Sequence, residues 1–98
     1  MRYKIEWSKP PRLDRWGHFL SEQPPVHEEG FDNIEQAKQR AHEISLAHKK
    51  CDVSLLDMEG PLSEGESTVW CVYAYCKGNL VMENPYYFEE ISKQQLKL

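Results

Sequence analysis

The chain has 98 residues, of which 40% are hydrophobic and 29% charged, and its formal net charge at pH 7 is −4. This length predicts a single domain over residues 1–98, and eleven aromatic residues are too many for a disordered chain. The acidic balance argues against a protein that coats nucleic acid. No run approaches the roughly 18–20 apolar residues of a membrane span, and the start MRYKIEWSK lacks the apolar segment of a signal peptide.

The first strand is predicted at residues 2–8, where polar and apolar side chains alternate. Its apolar residues share one face: Tyr3, Ile5 and Trp7. Residues 16–22 are expected to return as the second strand of a hairpin. Residues 23–30 contain two adjacent prolines and are expected to form a loop.

A long helix is predicted at about residues 33–50. Asp32 is the expected N-cap, because Glu35 follows it at the spacing of a capping box. The apolar residues recur at helical spacing and form one narrow stripe: Ile34, Ala37, Ala41, Ile44 and His48.

The second half of the chain predicts three strands and a short helix. Residues 51–58 are rich in Val and Leu, and residues 68–77 combine β-branched and aromatic residues without a breaker. The pair Gly78-Asn79 indicates a hairpin turn before a return strand at 80–83. Asn84-Pro85 then favours the start of a C-terminal helix at about 85–95.

These elements predict an α+β fold, a two-layer sandwich with an antiparallel sheet of four to five strands. Strict alternation along residues 68–77 would place Tyr73 and Tyr75 on one face, together with Val69. One main helix can cover only one face of a sheet. The tyrosine face then needs another cover: the C-terminal segment, the proline-rich loops or another molecule, including a second copy in a homodimer. We favour another molecule and expect this face to be available to a partner.

The residues that could bind a metal or catalyse a reaction lack the spacing that these functions require. The three cysteines, Cys51, Cys71 and Cys76, are an odd number without a CxxC pair, which favours a reducing cytoplasm over a disulfide scaffold. Cys71 and Cys76 would point to opposite faces of a regular strand, and His42 and His48 lack the spacing of a zinc-binding pair. No nucleophile or phosphate-loop motif is present. We expect no metal, no cofactor and no enzymatic activity.

The segment KPPRLDRWGHF, residues 9–19, is the strongest functional lead. Aromatic residues and arginines are enriched at the centres of protein interfaces, so Arg12, Arg15 and Trp16 are candidate partner-binding residues, as are Tyr73 and Tyr75. In the competing interpretation, Trp16 and Phe19 fill the core.

The favoured function is a small cytoplasmic protein-binding module without enzymatic activity. Its expected setting is a phage or mobile element, where it would act as an inhibitor or adaptor of a larger host enzyme such as a nuclease complex. The acidic residues within 21–36 and 51–67 could then face a basic cleft of that enzyme. The alternative is a nucleic-acid-binding module that uses the cations of 9–16 and 38–50, and no membrane partner is expected.

Overall fold

A computed structural model of the chain describes residues 1–60 and 69–96. Residues 61–67, which hold part of the acidic segment 51–67, lie outside the described residues. The elements follow in this order: β1 (Tyr3–Ser8), β2 (His27–Phe31), α1 (Ile34–Ala47), β3 (Asp52–Asp57), β4 (Trp70–Cys76), β5 (Asn79–Glu83) and α2 (Pro85–Leu96). The five strands form one sheet in the order β2-β1-β3-β4-β5, and every neighbouring pair is antiparallel. The predicted α+β fold with two helices is confirmed.

The partner of β1 differs from the expected one. Residues 16–22 do not form a strand of the sheet, and β1 pairs instead with β2, which places Trp7 opposite His27. The prediction of a loop throughout 23–30 is therefore wrong. The sequence HEEGF has weak strand propensity, but β2 lies at an edge, where pairing with β1 decides the conformation.

Both helices pack on the same face of the sheet. The Tyr73 ring shows this directly, because it contacts Lys38 of α1 and Phe88 of α2, at 5.2 Å from Nζ and 5.7 Å between ring centroids. The core between the layers comes from β1, β3, β4 and the two helices. Its completely buried apolar members are Ile5, Ala37, Ala41, Val53, Leu55 and Val72.

Each helix begins at an asparagine cap. Asn33, rather than the expected Asp32, caps α1, and its side-chain oxygen accepts the backbone N–H groups of Glu35 at 2.8 Å and Gln36 at 3.2 Å. Asn84 caps α2 immediately before Pro85, as its sequence predicts. The caps fix where both helices begin against the sheet.

A β-bulge in β4 explains why the predicted face assignment fails. Leu55 pairs with Tyr73 and Leu56 pairs with Cys71, so Val72 is an extra residue on its strand. The extra residue turns Val72 and Tyr73 to the same side, and both are buried. The tyrosine side of β4 is consequently the side that the helices cover.

The opposite face of the sheet carries charged residues at the β1 and β2 end. Lys4 forms ion pairs with Glu6 at 3.0 Å and with Glu28 at 3.6 Å. Ser54, Ala74 and Cys76 continue this face towards β4 and are half-buried. This face is therefore charged along β1 and β2, whereas along β3, β4 and β5 it also carries the apolar residues Leu56, Cys71 and Met82.

Candidate functional site: an exposed aromatic loop

Residues 12–20, which we call the aromatic loop, form a tight turn between β1 and β2. The turn covers Asp14 to Gly17, with the Gly17 N–H donating to the Asp14 carbonyl at 3.1 Å. Gly17 has φ of +83°, a conformation that glycine adopts without a steric penalty. Aspartate at the first position and glycine at the fourth are typical of such a turn.

The Asp14 side chain holds the turn from inside. Its Oδ1 accepts the backbone N–H groups of Trp16 at 2.8 Å and His18 at 3.0 Å. The Asp14 N–H in turn donates to the His18 carbonyl at 2.9 Å. Four hydrogen bonds therefore fix a stretch of five residues at the surface of the protein.

Gln23 closes the base of the aromatic loop. Its side-chain amide accepts the Arg12 N–H and donates to the Arg12 carbonyl, both at 2.9 Å, and also donates to the Leu20 carbonyl at 2.6 Å. An isolated bridge between Leu13 and Phe19 joins the two sides. The loop is ordered by its own polar groups, although it does not extend the sheet.

The large side chains of the aromatic loop point into solvent. Leu13 is 51% exposed, Trp16 68% and Phe19 74%. The Arg15 guanidinium lies 4.3 Å from the centre of the Trp16 ring, within cation–π range. The interpretation in which Trp16 and Phe19 fill the core is therefore wrong.

The structure separates the predicted binding residues into two groups. Arg12, Arg15 and Trp16 lie together on the aromatic loop. Tyr73 and Tyr75 lie under the helices and are only 7% and 6% exposed. The expectation that these tyrosines form an uncovered face is wrong, because the bulge in β4 turns them towards the core.

The helix cations proposed for nucleic acid are partly engaged elsewhere. Lys38 lies over the Tyr73 ring, and the Arg40 guanidinium bonds Glu29 at 3.1 Å and Glu43 at 3.5 Å. These contacts leave Lys38 half-buried and pair the Arg40 charge with two carboxylates. They reduce the positive charge that α1 offers to a phosphate backbone.

The strongest electrostatic perturbation surrounds Asp57, far from the aromatic loop. Arg2 donates two hydrogen bonds of 3.0 Å to its carboxylate, the Tyr87 hydroxyl donates one of 2.6 Å, and the Glu59 N–H donates one of 3.0 Å. Burial alone would raise the pKa of Asp57, but these donors and the Arg2 charge outweigh it and hold that pKa below its usual range.

Perturbed ionisation often marks an active site, but this cluster is structural. Asp57 has no exposed surface, so a substrate cannot reach its carboxylate. Burial and the neighbouring carboxylate raise the pKa of the Tyr87 hydroxyl, which therefore stays protonated and donates to Asp57. The cluster joins the start of β1, the end of β3 and the first turns of α2.

Residues 1–60 and 69–96 contain no group of three or more His, Cys, Asp or Glu side chains placed to hold a metal ion. Neither helix is long and apolar enough to cross a membrane.

Comparison with known proteins gives no match: no family model, no curated protein and no solved structure is similar to this chain. The fold and the candidate site thus stand on their own geometry. They define a small α+β protein that displays an ordered aromatic loop at one end of its sheet.

Proposed function

We propose that the chain is a small protein-binding module without enzymatic activity and that the aromatic loop is its contact surface. The observation that carries this proposal is the outward direction of Leu13, Trp16 and Phe19 on a loop held by its own hydrogen bonds. Exposed apolar side chains grouped in this way are typical of interaction sites, and a partner that buries them gains the free energy of removing apolar surface from water. An ordered loop also loses little conformational entropy on binding.

The side chains of the aromatic loop indicate what kind of partner surface would bind them. Trp16 and Phe19 fit an apolar pocket, and tryptophan together with arginine is typical of the residues that dominate binding energy. Arg12 and Arg15 form no ion pair with another described residue. We therefore expect an apolar pocket with carboxylates at its rim.

A capture experiment with matched variants tests the proposal. The purified chain would be immobilised and exposed to native cytosol, and the retained protein identified. Trp16→Ala and Arg15→Glu should each lower its affinity at least tenfold. Tyr86→Ala is the control, because Tyr86 is 70% exposed on α2 and lies away from the loop. Equal retention by the wild type and by Trp16→Ala would refute the proposed surface.

The captured partner also tests the expected role as an inhibitor or adaptor of a larger enzyme from the host of a phage or mobile element. Titration of the partner with the chain should abolish the activity of the partner if the chain is an inhibitor. It should leave that activity intact, while a third component is recruited, if the chain is an adaptor.

Nucleic-acid binding is the second candidate, and the cations of 9–16 favour it. Lys9, Arg12 and Arg15 lie in one segment with Trp16, a ring on which a base could stack. Affinity for single-stranded DNA and RNA should then be tight at low salt and fall steeply as salt rises. Absence of binding at low salt would eliminate this candidate.

A further inference from the structure

A cleft of about 640 Å³ opens beside the base of the aromatic loop. It lies where the ends of β1 and α1 meet the segment that leads into β2, and its volume is within the range of about 300–1,000 Å³ typical of ligand sites. The side chains that give the aromatic loop its exposed apolar surface do not line it. The cleft therefore shares Arg12 with the aromatic loop but none of the exposed apolar side chains on which the proposed protein-binding surface rests.

Aromatic rings line one wall of the cleft. The Trp7 ring is stacked with His27 at a centroid distance of 5.5 Å and lies 6.4 Å from His48. Both distances are typical of favourable ring pairs, so the three rings form one aromatic wall of the cleft. Pro24 and Pro25 line another part, and their fixed backbone angles limit rearrangement.

Two cations give the cleft its charge. Lys9 and Arg12 both line it, and neither forms an ion pair with another described residue. Glu22 is the one carboxylate among the described lining residues, and it lies outside ion-pair distance of both cations. Arginine matches phosphate and carboxylate groups with two parallel hydrogen bonds.

We propose that this cleft binds a small planar anion of the nucleotide type, with its ring against the Trp7 wall and its phosphate at Lys9 and Arg12. The proposal does not depend on the aromatic loop binding a protein. The planar ring and the phosphate charge of the nucleotide both contribute to its affinity. Neither an uncharged nucleoside nor free phosphate should therefore bind as tightly as the nucleotide.

Titration followed by amide NMR tests this with adenosine 5′-monophosphate as the probe, and adenosine and inorganic phosphate as comparisons. The nucleotide should shift the signals of Trp7, His27 and Cys51, and each comparison compound should bind at least tenfold more weakly. Arg12→Gln should weaken nucleotide binding by about tenfold, since a hydrogen bond to a charged group is lost. Glu22→Gln should strengthen it by about threefold, because a nearby negative charge is removed.

Matched controls separate this site from the proposed protein-binding surface. Arg15→Gln and Trp16→Ala change the aromatic loop without touching the cleft, so both should bind the nucleotide as the wild type does. Lys9→Gln provides a second cleft variant if Arg12→Gln disturbs the fold.

Three results would overturn the proposal. The first is the absence of shifts at millimolar nucleotide, and the second is unchanged affinity in both Arg12→Gln and Lys9→Gln. The third is tighter binding of a single-stranded oligonucleotide of about ten nucleotides, by more than tenfold over the mononucleotide and with a steep salt dependence. That result would assign the cleft to a nucleic-acid chain.

Discussion

Replacement of Tyr87 by phenylalanine tests the account of the Asp57 cluster. The substitution removes only the hydroxyl that donates to Asp57 Oδ2 at 2.6 Å, and the Tyr87 ring is almost completely buried. Water cannot easily replace the lost donor in such a place. A hydrogen bond to a charged group contributes roughly 1.5–3 kcal/mol, so we expect the free energy of unfolding to fall by about 2 kcal/mol.

The same loss of unfolding free energy predicts a lower melting temperature, Tm. A chain of 98 residues has an unfolding entropy of about 0.2 kcal/mol/K, so a loss of about 2 kcal/mol lowers Tm by about 10 °C. Calorimetry and urea unfolding followed by circular dichroism measure the two quantities. Tyr86→Phe is the matched control and should leave Tm unchanged, because Tyr86 is largely exposed.

The difference in unfolding free energy between the wild type and Tyr87→Phe should depend on pH, because the pKa values of Asp57 and Tyr87 are both shifted. The pKa of Asp57 is lowered in the folded chain, so its contribution to stability is present above its unfolded pKa, roughly 3.9, and is lost as pH falls through the folded value. The pKa of Tyr87 is raised, so its contribution is present below its unfolded pKa of roughly 10 and is lost as pH rises. The wild type and Tyr87→Phe should therefore differ most near neutral pH and less at both extremes. A difference below about 0.5 kcal/mol at pH 7, or one that does not vary with pH, would refute the reasoning.

Three further substitutions test the turns and a cap. Gly78→Ala should destabilise the protein by about 1–2 kcal/mol in urea unfolding, because φ is +79° and the new Cβ would overlap the movable Leu46 side chain; unchanged stability would contradict this. Asn33→Ala should lower the free energy of unfolding by about 1 kcal/mol, whereas Asn33→Asp keeps the cap and should match the wild type. Asp14→Ala should lower the heteronuclear NOE of the Trp16 and His18 amides while the sheet signals stay in place, and retained order there would show that Asp14 does not hold the turn.

Local patterns in the sequence predict much of the sheet and both helices. The alternation around Ile5 identifies β1, and the spacing of Ala37, Ala41 and Ile44 identifies the buried side of α1. Each of these patterns reflects one element packed on one side, which is the condition under which periodicity is informative.

The bulge at Val72 and the strand β2 were not predictable in this way. The bulge depends on how β4 pairs with β3, and one extra residue reverses the assignment of every side chain beyond it. The strand β2 contains two glutamates and a glycine, and it forms because β1 offers it a pairing edge.

The sequence of the aromatic loop contains a turn signal that conflicts with the predicted return strand. Asp14 and Gly17 stand three residues apart in the pattern of a tight turn, which argues against a continuous return strand there. The contacts around Asp57, by contrast, join residues separated by up to 55 positions in the chain. No local spacing could indicate that arrangement.

The two edges of the sheet have opposite surface chemistry. Every residue of β5 is exposed, including Leu80, Val81 and Met82, whereas the outer strand β2 carries Glu28 and Glu29. An exposed apolar edge can pair with another strand, and acidic side chains discourage such pairing. If two copies associated through β5, the apolar edge of each would be buried and the acidic edge strand β2 of each would face outward. In concentrated solution, such growth would end at a closed pair instead of continuing into a fibril.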